Sequence, residues 1–440
     1  MPIINVKGTH DVIGDEAKLY TKVEDTMKLL AERYAFAELR PPVLEHSELF
    51  VRGVGESSDV VRKEMYTFLD KGDRSLTLRP EFTAGIMRTI VQNKLYATND
   101  LPLKYFYLGP AFRYERPQLG RYRQFNQFGV ESVGGDSYFN DIEVICLAYD
   151  ILKSLRLNNV VLKINTLGDE ESRNNYHQAL KDFFADKIEN MCSDCQNRYE
   201  LNPLRILDCK VPEDQLIVKD APKISDYLSD NSKERFALIL KELDELQIPY
   251  EADDSLVRGL DYYSEVVFEF HYSSSNGKNY GAIGGGGHYS HLVKDIGGPD
   301  LPGVGFSFGV ERIVSVLKDD GILDETKLNN NIQFYVMPMG EENKSYSYHI
   351  AKKIRDLNFS VDICLDKAKL PAMFKKAERK KALFAIIIGE NEVKEHKIVI
   401  KNLASQKQIE MLEDEIVNKI YDVLEDTYDC QYCNEICDLK

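Results

Sequence analysis

From Glu16 to Tyr34, apolar side chains fall at Leu19, Val23, Met27, Leu30, Ala31 and Tyr34, the three-and-four spacing of one face of a long helix. Lys7-Gly8-Thr9-His10-Asp11 before it reads as a turn. Ala37 to Leu44 reads as a strand running into Arg40-Pro41-Pro42, and proline, which has no ladder donor, belongs at a strand end or edge. A short strand over Ser75–Leu78 then stops at Pro80, and a helix begins with Thr83 near its first turn. The next stretch, Phe112 to Glu131 (FRYERPQLGRYRQFNQFGVE), alternates, breaks at Pro117-Gln118-Leu119-Gly120 and resumes, which predicts an antiparallel hairpin. A period of two puts Arg113 and Glu115 on one face of its first strand. Arg123, Phe125, Gln127 and Glu131 share one face of its second.

Helical spacing returns over Asp141–Leu155, followed by a strand at Val160–Thr166. From Gly168 to about Tyr250, charged helices with irregular links read as an insertion. Tyr250–Phe270 returns to strands, with Arg258 and Tyr262 on one face and Tyr263 on the other. Tyr280–Gly287 (YGAIGGGG) is a glycine-dense strand and turn. Gly303–Leu317 is a strand leading into a helix that carries Glu311 and Arg312. The polar run Asp319–Asn331 marks a linker. Beyond it, strands at 332–337, 360–365, 382–388 and 397–403 alternate with helices at 345–357 and 371–381, then a closing helix. That order predicts a sheet with parallel pairing, covered by helices. The expected domains are therefore residues 1–325 with an insertion at about 168–250, residues 326–425, and a cysteine-containing tail at 426–440.

Composition narrows the class. A chain of 440 residues with 43% hydrophobic and 29% charged side chains is an ordinary globular protein of two or three domains. With no apolar stretch at its start and no 18-residue apolar run, it is expected in the cytoplasm and not in a membrane. A net charge of -16 argues against indiscriminate nucleic-acid binding, so any RNA contact must come from local basic patches. Lys367, Lys369, Lys375, Lys376, Arg379, Lys380 and Lys381, against only Glu378, form one such patch: a solvated helix face or a phosphate-contacting one. Among eight cysteines, Cys192/Cys195 with Cys209 and Cys430/Cys433 with Cys437 show CxxC spacing plus a third thiol. Neither group has an obvious fourth ligand nearby, so free thiols are expected ahead of zinc, and no protein metal ligand is assigned.

The remaining chemistry has two readings at each position. The hairpin face is either a solvated stripe of ion pairs or a site carrying fixed positive charge, an aromatic plate, an amide and carboxylates. Glu81 and Thr83 at a helix start either cap that helix or bind an ammonium group. Arg258 followed by Gly259 either stacks on tyrosine or meets a ligand that approaches the backbone closely. YGAIGGGG lacks the GK[ST] ending of a phosphate loop, and its glycines are read as making room for bound molecules.

Taken together, the hairpin, LVRGLDYYSEVVFEF (256–270) and GVGFSFGVERI (303–313) resemble the signature segments of the histidyl-tRNA synthetases, which are class II aminoacyl-tRNA synthetases. The resemblance covers nearly the whole chain. It implies an α+β catalytic domain, an antiparallel sheet flanked by helices, with a helical insertion over the acceptor end of the tRNA, and a C-terminal α/β anticodon-binding domain. It implies a homodimer built through the first helix, strand and proline. It further implies ATP-dependent activation of L-histidine with Mg²⁺, then transfer to tRNA(His). Arg113 and Arg258 would flank the α-phosphate. Glu115, Phe125 and Arg312 would hold the adenine, with Arg121 and Arg123 on the outer phosphates. Glu81, Thr83 and Gln127 would meet the substrate ammonium, Glu131 and Tyr263 its imidazole, with Tyr262 alongside. Arg116 and Gln118 match positions that read the acceptor end.

The chain departs from the family at Phe82, where glycine is usual, and at His288-Tyr289-Ser290-His291, where only Tyr289 matches. The rival reading is the non-catalytic synthetase-like regulatory subunit of ATP phosphoribosyltransferase. Such paralogues typically lack the C-terminal domain and the RGLDYY arginine, and this chain keeps both. Another class II synthetase is disfavoured by RGLDYY with Gln127 and Glu131, and a non-catalytic RNA-binding protein leaves Arg113, Phe125 and Arg312 unexplained.

Overall fold

A computed structural model describes residues 3–117, 120–322 and 332–425. The chain divides into two compact units, Met1–Lys327 and Leu328–Lys440. The tail at 426–440, including Cys430, Cys433 and Cys437, lies outside the described residues.

The first unit is built on an eight-stranded sheet in the order Ala37–Glu38, Leu103–Phe112, Gln124–Val133, Gly303–Gly309, Asn279–Tyr289, Ser264–Ser273, Val160–Thr166, Tyr250–Ala252. Only the two edge pairs run parallel, and every inner pair is antiparallel. Helices Asp15–Arg33, Tyr138–Ser154 and Val310–Asp319 pack together on the sheet through residues such as Val23, Met27, Val144, Ile151 and Ile313, all fully buried. Helix Thr83–Gln92 buries Ile86, Met87 and Ile90 against Tyr107, Val133 and Tyr289 of the sheet, which brings its first turn to the cavity described below. The insertion has its own apolar core around Tyr176, Leu180, Phe184, Leu204 and Ile206. Two of its helices begin back to back: Asp169 accepts the Ser172 N–H at 2.9 Å, Ser229 accepts the Ser232 N–H at 3.2 Å, and the Ser229 hydroxyl donates to Asp169 at 2.6 Å. Each cap satisfies an orphan donor of the first helical turn.

Three expected elements differ. The hairpin strands end at Phe112 and restart at Gln124, so Arg113, Glu115 and Arg123 lie in the connecting segment rather than on strands. Backbone competition explains the break: the Tyr114 N–H donates to Glu64 O at 2.7 Å and the Arg123 N–H to Gly8 O at 2.7 Å, leaving the Arg113 N–H to Arg123 O bond as the last rung. The RGLDYY segment is a loop between Tyr250–Ala252 and Ser264–Ser273, so the strand alternation expected for Arg258, Tyr262 and Tyr263 does not apply. The expected strand over Ala37–Leu44 is interrupted: Leu44–His46 instead joins a separate three-stranded sheet with Ser75–Leu78 and Tyr66–Leu69.

The second unit holds a five-stranded sheet in the order Val361–Ile363, Phe334–Pro338, Phe384–Ile388, Lys397–Asn402, Gln408–Leu412. Its first three strands are parallel, as crossover helices require, and its last two form an antiparallel hairpin that the alternation did not disclose. In the basic stretch, helix Leu370–Arg379 buries Met373 and Ala377 and leaves Lys375 and Arg379 exposed, while Lys376 and Lys380 pair with Asp366 and Asp362. Among the described residues, no helix is long and apolar enough to cross a membrane.

Candidate active site

A cavity of about 350 Å³ opens on the sheet where the hairpin, the RGLDYY loop, the glycine-rich strand and the start of helix Thr83–Gln92 converge. Its inner end is carboxylate-rich. Glu81 is 2% exposed and accepts the backbone N–H groups of Thr83 (2.6 Å) and Ala84 (3.0 Å), so Glu81 rather than Thr83 caps the helix. Thr83, freed from capping, donates its hydroxyl to Glu131 Oε1 at 2.7 Å. Tyr289 donates to Glu131 Oε2 at 2.8 Å, and Tyr107 approaches Oε1 at 3.4 Å. Burial raises the Glu131 carboxyl to about 8 despite these hydroxyl donors, and burial also raises Glu81. Gln127 lines the same end, 6% exposed, and its buried Oε1 has no hydrogen-bond partner. An orphaned buried acceptor costs roughly 1–3 kcal/mol, so this atom is poised for a donor from a bound molecule.

The outer end is cationic. Arg113 is aimed by its Nε, which donates to Pro80 O at 2.8 Å, and its guanidinium lies 5.5 Å from the Phe125 ring centroid. Glu115 stands beside it, 3.8 Å from Arg113 and 3.7 Å from Arg121. Arg258 reaches in from the loop: its Nη1 donates to Glu269 at 2.5 Å, its side chain stacks 5.6 Å from the Tyr263 ring, and its Nε is buried without a partner. Glu269 also bonds His271 Nε2 at 2.9 Å; burial opposes its ionisation, yet the hydrogen bond to His271 and the Arg258 charge hold it below the ordinary carboxylate value.

Gly284, Gly285, Gly305 and Gly309 line the cavity, and three glycines of the sheet leave room for the site's own side chains. A Cβ on Gly305 would fall 2.1 Å from Glu131 Oε2, one on Gly129 2.3 Å from the Tyr107 hydroxyl, and one on Gly285 2.8 Å from Arg258 Nη1. Glu311 is structural: both its oxygens accept the Asn126 N–H, at 2.8 and 2.9 Å, tying the second hairpin strand to helix Val310–Asp319. Burial lifts its carboxyl to about 7.

The cavity gathers Glu81, Thr83, Arg113, Arg121, Phe125, Gln127, Glu131, Arg258, Tyr262 and Tyr263. Arg123 does not line it. Its guanidinium stacks 3.8 Å from the Tyr114 ring and its Nε donates to Glu115 O at 3.3 Å. Arg312 sits beside the cavity rather than in its lining, donating to Tyr280 O with its Nε buried and unpartnered; Gly120 packs on its backbone. Arg116 is exposed in the hairpin connection, and Gln118 lies outside the described residues. Sequence reasoning missed Tyr107, the role of Tyr289, and Glu269. Glu269 carried a signal, since it alternates with Val267 and His271 on a strand leading out of the RGLDYY loop. Phe82 forms the middle of a stack, with Arg79 3.7 Å above its ring and Tyr107 4.4 Å away and nearly parallel. His288 is buried and bonds Asp141 at 2.9 Å, which Arg235 of the insertion also holds at 2.6 Å. Ser290 bonds Ser264 at 2.8 Å, and His291 bonds Asp300 at 2.8 Å on the surface.

A family model described as histidyl-tRNA synthetase matches residues 8–313, and one described as an anticodon binding domain matches 333–422. The chain is 45% identical over 412 residues to a histidine–tRNA ligase of Thermosipho melanesiensis, covering 94% of this chain and 97% of that one. It is likewise 45% identical over 415 residues to the histidine–tRNA ligase of Bacillus subtilis, covering 94% and 97%. Among solved structures, apo histidyl-tRNA synthetase of Staphylococcus aureus superposes with a TM-score of 0.80 at 34% identity, over 94% of this chain and 99% of that one.

Proposed function

The chain belongs to the histidyl-tRNA synthetase family, and on that premise we propose how its cavity activates L-histidine with ATP and passes the histidyl group to tRNA(His). The observation that carries the reading is the polarity of one cavity: two buried carboxylates and the orphaned Gln127 Oε1 at one end, Arg113 and Arg258 at the other. A zwitterionic amino acid fits that gradient with its ammonium inward and its carboxylate toward the guanidiniums.

Each Glu81 oxygen takes one backbone N–H and retains a lone pair; with Gln127 Oε1 and the Thr83 hydroxyl it receives the ammonium. Glu131 accepts the imidazole N–H and the Tyr263 hydroxyl donates to the other ring nitrogen, with Tyr262 closing the side of the pocket. The histidine carboxylate then attacks the α-phosphorus, pyrophosphate leaves, and histidyl-adenylate forms. Arg113 and Arg258 stabilise the charge that gathers on the α-phosphoryl oxygens, because guanidinium is always ionised and offers paired donors. Phe125 stacks on the adenine with Arg312 opposite, Glu115 accepts from the adenine amino group, and Arg121 meets the outer phosphates. The carboxylates nearest these arginines, Glu115 and Glu269, already pair with Arg113 and Arg258. With those carboxylates engaged, Mg²⁺ would be held by the nucleotide rather than by this chain's side chains and would supply positive charge to the leaving pyrophosphate. In the second step the 3′-terminal ribose hydroxyl attacks the adenylate carbonyl and AMP leaves. Arg116 and Gln118 contact the acceptor end, and the second unit binds the anticodon. We place residues 1–325 as the catalytic domain and 326–425 as the anticodon domain of a cytoplasmic homodimer.

The regulatory-subunit reading is less supported, since the relatives at 45% identity are ligases over nearly their whole length. Charging tests the proposal: labelled histidine, ATP, Mg²⁺ and total tRNA should yield acid-precipitable label with the native chain and at least 100-fold less with Arg258→Ala, the usual cost of one oxyanion donor. Equal charging by both would overturn the role of Arg258.

A further inference from the structure

We infer that Cys192, Cys195, Cys209 and Asp214 form a structural zinc site that closes the core of the insertion. The sequence offered three thiols and no fourth ligand; the fold supplies it by bringing Asp214, from the start of helix Pro212–Val218, onto the CxxC turn. All four donor atoms lie within 4.8 Å of one another. Cys192 and Cys209 sulfurs are 3.9 Å apart, against about 3.8 Å between two thiolates of a tetrahedral zinc at Zn–S of about 2.3 Å. A disulfide would need about 2.05 Å. Cys209 Sγ lies 3.2 Å from Asp214 Oδ2, close to the separation of a thiolate and a monodentate carboxylate on one zinc.

The surroundings are those of a closed, structural site. Cys195, Cys209 and Asp214 are 0%, 4% and 2% exposed, and the thiols sit among Met191, Leu204 and Ile206. Outer bonds are already formed: the Cys192 N–H donates to Asp214 at 3.1 Å and the Val211 N–H to Cys209 Sγ at 3.5 Å, which fix the ligands as second-layer bonds do in zinc sites. Soft thiolates in a compact four-donor set select zinc over magnesium or calcium. On binding, three S–Zn bonds and one O–Zn bond form, and the three thiol protons leave to solvent.

The site also reaches the catalytic cavity. The segment between the second and third cysteines sends Arg198 and Arg205 to Asp59 (3.0 Å each) and Asn202 to Asp261 (2.9 Å), the residue that precedes Tyr262 and Tyr263. Zinc therefore braces the loop that carries two cavity tyrosines.

The test is metal analysis of the full chain, purified without chelator or metal-affinity steps and then treated with a mercurial in the presence of a zinc-sensitive dye. About one zinc per chain should be released, and the yield should persist in a Cys430→Ser/Cys433→Ser variant, which removes the only other CxxC group. It should drop at least tenfold in affinity in Asp214→Asn, which keeps the size and polarity of the side chain. Cobalt added to metal-depleted native chain should give the visible bands of a tetrahedral thiolate site, a readout that needs no substitution and so stands if Asp214→Asn fails to fold. No zinc released and no cobalt spectrum from native chain would overturn the site, as would zinc lost only from the tail variant.

Discussion

Histidine binding should expel a proton at neutral pH, and Glu131 is its source. Burial holds this carboxyl at about 8 against an ordinary 4.5, so at pH 7 the unliganded chain keeps it protonated roughly ten times out of eleven. An imidazole N–H donating to Glu131, with a cationic ammonium nearby, favours the carboxylate and depresses its pKa on binding. Calorimetry at pH 7 in two buffers of different ionisation enthalpy should therefore report about 0.9 proton released per histidine. Affinity should climb by up to tenfold per pH unit from about 6.5, where the substrate ring becomes neutral, and level off above 8. The same group sets a stability trend. Because the folded pKa is the raised one, its contribution is fully present below 4.5 and is lost as pH rises through 8, on the order of 5 kcal/mol across that window. Glu131→Gln should abolish the proton release, flatten that trend and weaken histidine binding about 10- to 150-fold, as expected for losing a hydrogen bond to a charged group. No proton release at pH 7, with affinity unchanged between pH 7 and 8, would refute the assignment of Glu131 as the titrating contact.

Other perturbations isolate other parts. Arg258→Ala should lower kcat by at least 100-fold while histidine affinity stays within a few-fold, and Glu269 retains His271 as a partner, so circular dichroism should remain native. Gly305→Ala places a Cβ 2.1 Å from Glu131 Oε2 and should raise KM for histidine far more than KM for ATP; equal effects on both would contradict the placement of Glu131. Phe82→Ala removes the ring between Arg79 and Tyr107 and should cost about 3–5 kcal/mol in a denaturant titration, since the ring is 1% exposed.

The sequence carried the strand–helix order of the catalytic unit because buried helices and inner strands impose sharp periods. The faces of Phe125, Gln127 and Glu131 were legible for that reason: all three lie on a regular strand and all three line the cavity. Periodicity failed where the backbone leaves its ladder. Arg123 was placed with that same face, yet the N-terminal turn takes its N–H and Tyr114 its guanidinium. Arg258, Tyr262 and Tyr263 converge on one cavity because they sit on a loop, which has no faces to alternate. Long-range partners were invisible altogether. Nothing in the local pattern near Cys192 announces Asp214, and nothing near Phe82 announces the Tyr107 ring that explains a bulky residue there. The glycine-dense strand reads as clearing space for ligands, and its Gly284 and Gly285 line the cavity; Gly285, like Gly305 and Gly129 on neighbouring strands, also leaves room for a side chain of the site.

Whether this cavity adenylates histidine is decided by exchange of labelled pyrophosphate into ATP with each of the twenty amino acids supplied in turn and Mg²⁺ present. Exchange is expected with histidine alone, since Glu81, Thr83, Gln127, Glu131 and Tyr263 each have a partner on that substrate. Folded protein that binds histidine but supports no exchange with any amino acid would contradict it.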